Sequence, residues 1–302
     1  MGLDVATRQP LTGVAFHRTL EHRGGAWWRL VVNAVLGVIG LLAMSLASLL
    51  AVLGAARALG YDDFAIDLED GVSAGELLGA NLGLALLIPL SAALVRGLYG
   101  VRPRWLSSHR PGVRWRWLAG CVGISALVWS IFLVLGTAGA FLVRSEPVDL
   151  AVWSFLAVVV CTTPLQAAGE EYLFRGLLLQ ALGAARLPVW LCCVGSGALF
   201  AAAHLQFDPP LFADRLLLGT VFAWLTIRTG GIEASIAIHA VKNVAVLIPA
   251  GLLDDVSAAL DPTGVTWIPV IVDVVLLSIA VPCILAAYKR SYQVTPRSRS
   301  IE

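Results

Sequence analysis

Long apolar runs separated by short polar segments set the pattern of this chain. A membrane-spanning helix needs about 20 apolar residues in a row. About eight runs approach or exceed that length: 29–56, 77–99, 117–143, 150–184, 188–205, 211–228, 231–251 and 267–288. The runs at 188–205 and 211–228 are short, so one of them is expected to tilt or to be partly re-entrant. The pattern predicts an all-α polytopic membrane protein. It divides into an N-terminal arm over 1–28, a transmembrane helical domain over 29–288 and a tail over 289–302. The tandem Trp27-Trp28 reads as an interfacial anchor at the start of the first run. Pro164 is placed to bend the fourth span. Residues 101–116, rich in Arg and Trp, are expected to lie along the inner membrane surface as an amphipathic segment. The tail from Tyr292 onward is expected to be disordered.

Composition strengthens this picture. Of 302 residues, 58% are hydrophobic and only 14% are charged, where a soluble domain is about a quarter charged. A net charge of +1 leaves no electrostatic footprint for nucleic acid, so the expected surroundings are the lipid bilayer. The first 26 residues are polar and lack the apolar core of a signal peptide. Cys121, Cys161, Cys192, Cys193 and Cys283 lie in apolar runs without CxxC spacing, and read as small buried hydrophobes.

Charge in the loops gives orientation. Arg8, Arg18 and Arg23 precede the first span, and Asp62, Asp63, Asp67, Glu69 and Asp70 follow it. Arg96, Arg102, Arg104, Arg110, Arg114 and Arg116 sit around the second loop. Glu146 and Asp149 then follow Arg144, and Asp254, Asp255 and Asp261 lie after the seventh span. Lys289, Arg290, Arg297 and Arg299 close the chain. Under the positive-inside rule both termini are cytoplasmic. The expected location is the plasma membrane of a bacterium.

Ionisable residues inside a membrane are costly and point to function. They concentrate in three spans: Glu170, Glu171 and Arg175 in the fourth, His204 in the fifth, and His239, Lys242 and Asn243 in the seventh. Residues four apart share a helix face. Glu171 and Arg175 therefore pair, and Glu170 points about 100° away towards something else. His239 with Asn243, and Phe200 with His204, repeat the spacing of four. Lipid offers these faces no partners, so convergence on one buried pocket is expected. Two chemistries fit the set. Glu170 can activate a water while imidazole and amide groups stabilise an oxyanion. Alternatively, Glu170, His204 and His239 match the His₂Glu ligands of a catalytic zinc. Gly195-Ser196-Gly197 invites a serine-nucleophile reading, but small residues more simply permit close helix packing. Asn81 and Asp273, isolated in other spans, read as polar contacts between helices. Lys242 is expected to snorkel or to pair with an acid.

The three motifs, Glu170-Glu171-Tyr172-Leu173-Phe174-Arg175, Phe200-Ala201-Ala202-Ala203-His204 and His239-Ala240-Val241-Lys242-Asn243, resemble those of the CAAX-protease and bacteriocin-processing family of intramembrane endopeptidases. The resemblance covers about residues 150–250. It implies that Glu170 activates water, that His204 supports this water or a metal, and that His239 and Asn243 form the oxyanion side or complete the metal site. Glu171, Arg175 and Phe200 become structural support. The implied substrate is a membrane-associated peptide or protein, with C-terminally lipidated, CAAX-type chains as one class, cut near the cytoplasmic face. Two rivals remain. One is a non-proteolytic member acting in bacteriocin immunity or as a binding scaffold. The other is a proton-coupled transporter, which internal repeats would favour, and the sequence shows none. Counting along the spans leaves one tension: His204 falls near the outer half of the membrane, while Glu170 falls near the middle or the inner half, and a tilted or late-starting fifth span would bring them level.

Overall fold

The structure, a computed structural model, describes residues 13–21, 27–60, 72–144, 147–253 and 266–292. Every regular element of any length is helical: α1 (Trp27–Ala58), α2 (Ala74–Ala85), α3 (Leu87–Tyr99), α4 (Trp115–Val143), α5 (Leu150–Glu171), a π-helical segment (Tyr172–Leu178), α6 (Leu179–Ala184), α7 (Val189–Ala203), α8 (Pro209–Thr229), α9 (Glu233–Leu253) and α10 (Ile268–Tyr292). Among the described residues seven helical stretches are long and apolar enough to cross a membrane, with α2–α3 and α5–α6 each counted as one. The fifth expected span, 188–205, is α7, which has only 15 residues and is not among the seven. The chain is thus a polytopic integral membrane protein.

Local sequence explains several boundaries. Ser73 caps α2 through Glu76 Nα, and Glu76 Oε2 accepts from Ser73 Nα in return; this reciprocal capping satisfies two orphan amides at once. Asp149 caps α5 by accepting from Val152 Nα. Gly100 and Gly230 end α3 and α8 in the left-handed region, which costs glycine nothing. The run at 77–99 is broken between Ala85 and Leu87, three residues before Pro89 would have to donate to the ladder.

Small residues set the helix crossings. A Cβ on Gly79 or Gly83 would strike the α1 backbone at Leu49 or Ser45. Gly197 of α7 and Gly219 of α8 lie back to back, so these helices touch along their main chains. Asn81 Nδ2 donates to Thr162 Oγ1 at 2.8 Å and Thr163 Oγ1 at 3.1 Å, fastening α2 to α5. Lys242 of α9 bridges Asp214 of α8 at 3.2 Å and Asp273 of α10. It pairs with acids and does not snorkel.

Residues 101–116 are in part built into the fold. Leu106, Ser107 and Ser108 are buried, Ser107 O accepts from Ile232 Nα at 2.9 Å, and His109 Nα donates to Gly230 O at 2.9 Å. The unpaired main chain of the α8–α9 turn takes this loop as its partner, which satisfies both sets of backbone groups. Arg114 then grips Glu233 at the start of α9, donating from Nε at 2.9 Å and Nη2 at 2.6 Å. The arm is also less detached than its polarity suggests: Phe16, His17 and Leu20 are buried. Phe16 joins Ile232 and Ile236 in one cluster, and Leu20 joins α3 and the π segment in another.

Other differences are smaller. Cys161 and Cys283 are exposed on apolar helix surfaces, while Cys121, Cys192 and Cys193 are buried. Tyr292 is still helical, and its ring packs 5.8 Å from that of Trp117. The acidic residues from Asp62 to Asp70 and from Asp254 to Asp261, with Arg8, Arg23, Glu146, Arg297 and Arg299, lie outside the described residues.

Candidate functional site

Gln166, Glu170 and Glu171 occupy the last turns of α5, and all three are buried. Pro164 lies inside this helix without interrupting it. The irregularity comes later, where the i→i+5 ladder of Tyr172–Leu178 replaces α-helical bonding. Its neighbours hold it there. Ser196 Oγ of α7 donates to Phe174 O at 3.0 Å, and the Tyr172 and Ser107 hydroxyls meet at 2.7 Å. The Ser196 hydroxyl is therefore spent on the backbone, and the close packing of Gly197 explains its neighbour. Such π segments often occur at functional sites.

Glu171 Oε1 accepts twice: from Arg175 Nη1 at 2.7 Å, and from His239 Nδ1 at 2.9 Å. The expected division, with Glu171 spent on Arg175 alone, is therefore incomplete, because the same carboxylate also aims the α9 imidazole. A carboxylate already neutralised by a guanidinium can only accept, so Nδ1 carries a proton. The other ring nitrogen, Nε2, then stands 3.4 Å from Glu170 Oε2. That oxygen is buried and makes no hydrogen bond. Glu170 and Glu171 thus reach opposite nitrogens of one ring.

Arg175 is fully buried. Phe200 lies 4.3 Å from its guanidinium carbon, Phe222 5.4 Å and Phe174 5.9 Å. These ring faces stabilise a cation whose Nε and Nη2 have no hydrogen-bond partner. Phe200 also touches both imidazoles, with ring centroids 4.7 Å from His204 and 5.7 Å from His239. Phe222 packs 5.7 Å from His239 on another side. His204 forms the C-cap of α7, and its Nδ1 donates to Phe200 O at 2.8 Å. Its Nε2 is left as the nitrogen available to a ligand. Asn243, one turn beyond His239, donates from Nδ2 to Gln166 Oε1 at 3.2 Å.

The depths of these groups agree. At 1.5 Å per residue, about 20 Å of helix separate Glu170 from the end of α6 and about 22 Å separate His204 from the start of α7. The short connection at 185–188 joins those two ends. The apparent mismatch disappears because the helix that carries Glu170 runs on to Ala184, which sets Glu170 about as far from the connection as His204 is. Sequence reasoning missed Gln166 and Phe222. Gln166 was legible, being four residues before Glu170 and on its face. Phe222, an apolar residue in an apolar helix, gives no local signal.

Glu170, His204 and His239 offer donor atoms of the kind zinc takes, and each imidazole has its free nitrogen opposite a supporting hydrogen bond. As placed, no three His, Cys, Asp or Glu side chains among the described residues stand close enough to hold a metal ion. The set fits a metal in kind but not in spacing.

Residues 150–245, which hold every group named in the motifs, match the family described as type II CAAX prenyl endopeptidase Rce1-like. This is the family that the three motifs resemble. The chain is also similar to the uncharacterized protein YyaK of Bacillus subtilis (strain 168), at 35% identity over 101 residues. That match takes in 31% of this chain and 33% of the relative, so the chain matches about a third of the relative's length. No solved structure matches.

Proposed function

We propose that this protein is an intramembrane endopeptidase in which Glu170 activates water against a peptide bond of a membrane-associated peptide or protein. The observation that carries the reading is the Glu170 Oε2 atom: buried, without a hydrogen bond, and facing His239 Nε2. A buried carboxylate oxygen without a partner is expensive, and a bound water or substrate would relieve that cost. The family match over 150–245 supports the same chemistry.

The residues divide the work as follows. Glu170 accepts a proton from water as the water oxygen bonds to the substrate carbonyl carbon. Asn243 Nδ2 and His239 Nε2–H donate to the developing oxyanion. His204 Nε2 accepts the second water hydrogen and fixes the direction of attack. The carbon–nitrogen bond then breaks, and the proton held by Glu170 goes to the leaving amine. Glu171, fixed by Arg175, keeps the His239 ring in place throughout. A zinc ion, if bound by Glu170, His204 and His239, would lower the pKa of the attacking water.

The test is peptide release by detergent-purified protein, read by mass spectrometry on a mixed library of C-terminally lipidated and unmodified peptides. Glu170→Gln is expected to reduce release by about 10²–10⁴-fold, the range for a lost general base. Release unchanged in the variant would remove Glu170 from the chemistry. Release abolished by a chelator and restored by zinc would assign the metal route. Lipidated peptides cut in preference to unmodified ones would assign the CAAX-type class.

A further inference from the structure

The outer surface of α8 carries features that the endopeptidase scheme leaves unused. Towards its C-terminal end this helix borders two recesses. One lies against α7. Trp190, Val194, Val221 and Trp224 wall it, and it holds about 620 Å³. The other lies against α10. Arg228, Tyr288 and Lys289 line it together with Ile227 and Leu285, and it holds about 360 Å³. Both fall within the range of about 300–1,000 Å³ typical of small-ligand sites. The two recesses meet at one pair of residues. The Arg228 guanidinium carbon lies 5.6 Å from the centre of the Trp224 ring, so the charge of the second recess rests on the wall of the first.

Polarity divides between them. The α7–α8 groove is walled by apolar side chains, and Trp190 and Trp224 are exposed, as suits a surface that faces hydrocarbon. The α8–α10 recess sits at the helix ends. Tyr288 there packs its ring 5.5 Å from that of Trp117, and the Arg110 guanidinium carbon lies 5.2 Å from the Tyr292 ring. This is the end of the bundle to which the basic loop 101–116 is tied, and the positive-inside rule makes it the cytoplasmic one. A cation in the last turn complements a helix dipole, which accounts for Arg228 on α8 and Lys289 on α10 taken singly. It does not account for their lining one recess together. Among the described residues no acidic side chain pairs with either. Two like charges facing one recess repel unless an anion lies between them.

We propose that this composite site binds one anionic glycerophospholipid of the surrounding membrane. Its phosphate sits between Arg228 and Lys289, with the Tyr288 hydroxyl as a third donor, and one acyl chain lies in the α7–α8 groove. A free phosphate would use the recess and leave the groove empty, and a neutral lipid would do the reverse. Their continuity through Trp224 and Arg228 suits a molecule that is anionic at one end and apolar at the other. Basic pockets between helix ends are where anionic headgroups bind. The proposal is independent of the endopeptidase reading.

The experiment titrates the detergent-purified full chain with dioleoyl phosphatidylglycerol, dioleoyl phosphatidylcholine and glycerol 3-phosphate. Native mass spectrometry counts bound lipid. Quenching of tryptophan fluorescence by phosphatidylglycerol with brominated chains reads contact with the groove. The wild type is expected to bind one phosphatidylglycerol about tenfold or more tighter than phosphatidylcholine, as befits charged hydrogen bonds to a phosphate. The double variant Arg228→Gln, Lys289→Gln should lose that preference, and Arg228→Lys with Lys289→Arg should keep most of it. Arg104→Gln, at an exposed position on the same basic loop, should change nothing. Quenching should fall in Trp190→Phe and in Trp224→Phe. A preference that survives in the double variant overturns the proposal. So does one lost equally in Arg104→Gln, since that is the diffuse attraction of a basic face. Equal binding of the two lipids by the wild type, or displacement of the lipid by an equal concentration of glycerol 3-phosphate, overturns it as well. Quenching undiminished in both tryptophan variants overturns the placement of the acyl chain. Should the double variant not fold, the single variants decide: each is expected to lose part of the preference, and full preference in both overturns the site.

Discussion

Adjacent glutamates carry different burdens, and substitution separates them. Glu171 bonds Arg175 and His239 together, whereas Glu170 makes no hydrogen bond through Oε2. Glu171→Ala should therefore leave a fully buried Arg175 uncompensated and destabilise the fold by about 3–5 kcal/mol. Glu170→Gln should leave thermal unfolding in detergent nearly unchanged while removing peptide release. Equal unfolding losses for the two variants would contradict this division. Arg175→Lys should also fail to replace arginine, because a compact ammonium on a flexible stem cannot span the three rings as a planar cation does; the expected signature is a lowered Tm with residual activity. The pairing of Glu171 with Arg175 was legible from a spacing of four. The bond from Glu171 to His239 was not, since 68 residues separate them and a single sequence carries no distances between helices.

Helices rather than loops build the site, and the crossing of α7 with α8 is one of its tight joints. Gly197 and Gly219 allow main chains to touch, and one turn further along the same helices stand Phe200 and Phe222. A leucine at either glycine should force the pair apart, costing about 1–3 kcal/mol and pulling Phe200 away from His204 and His239. Activity should fall more than stability does, which a parallel measurement of peptide release and Tm would show. Hydropathy foretold most of the long helices because lipid demands long apolar runs. It did not foretell the π segment, whose ladder is held by Ser196 and Tyr172 across helix boundaries. Nor did it foretell the burial of residues 106–108, where the open backbone of the α8–α9 turn took a basic loop as its partner.

Across the whole molecule, the arm before α1 is part of the folded unit. His17 is buried with both ring nitrogens unpartnered, and its main chain lies against Gly183, where a Cβ would collide with the carbonyl. Burial, with a smaller push from Arg18 and an opposing pull from Glu21, lowers the His17 pKa below 6.5. The folded state therefore binds this proton less readily than the unfolded one. The His17 contribution is fully present above pH 6.5 and is lost as pH falls from there through the folded-state value. Tm should drop between pH 7.5 and 5.5, and His17→Leu should flatten part of that drop; an identical pH profile in the variant would assign the sensitivity elsewhere. The shortness of α7 acts on the surroundings as well. A helix of 15 residues reaches about 22 Å, some 8 Å less than a typical hydrocarbon core. Acyl chains beside it are expected to compress or tilt to meet its end, which would thin the sheet of lipid next to His204. Hydrophobic mismatch of this kind costs fractions of a kcal/mol per Å, enough to enrich the protein in thin membranes. Reconstituted into vesicles of graded chain length, it should work fastest in short-chain lipid, where water has the least hydrocarbon to cross.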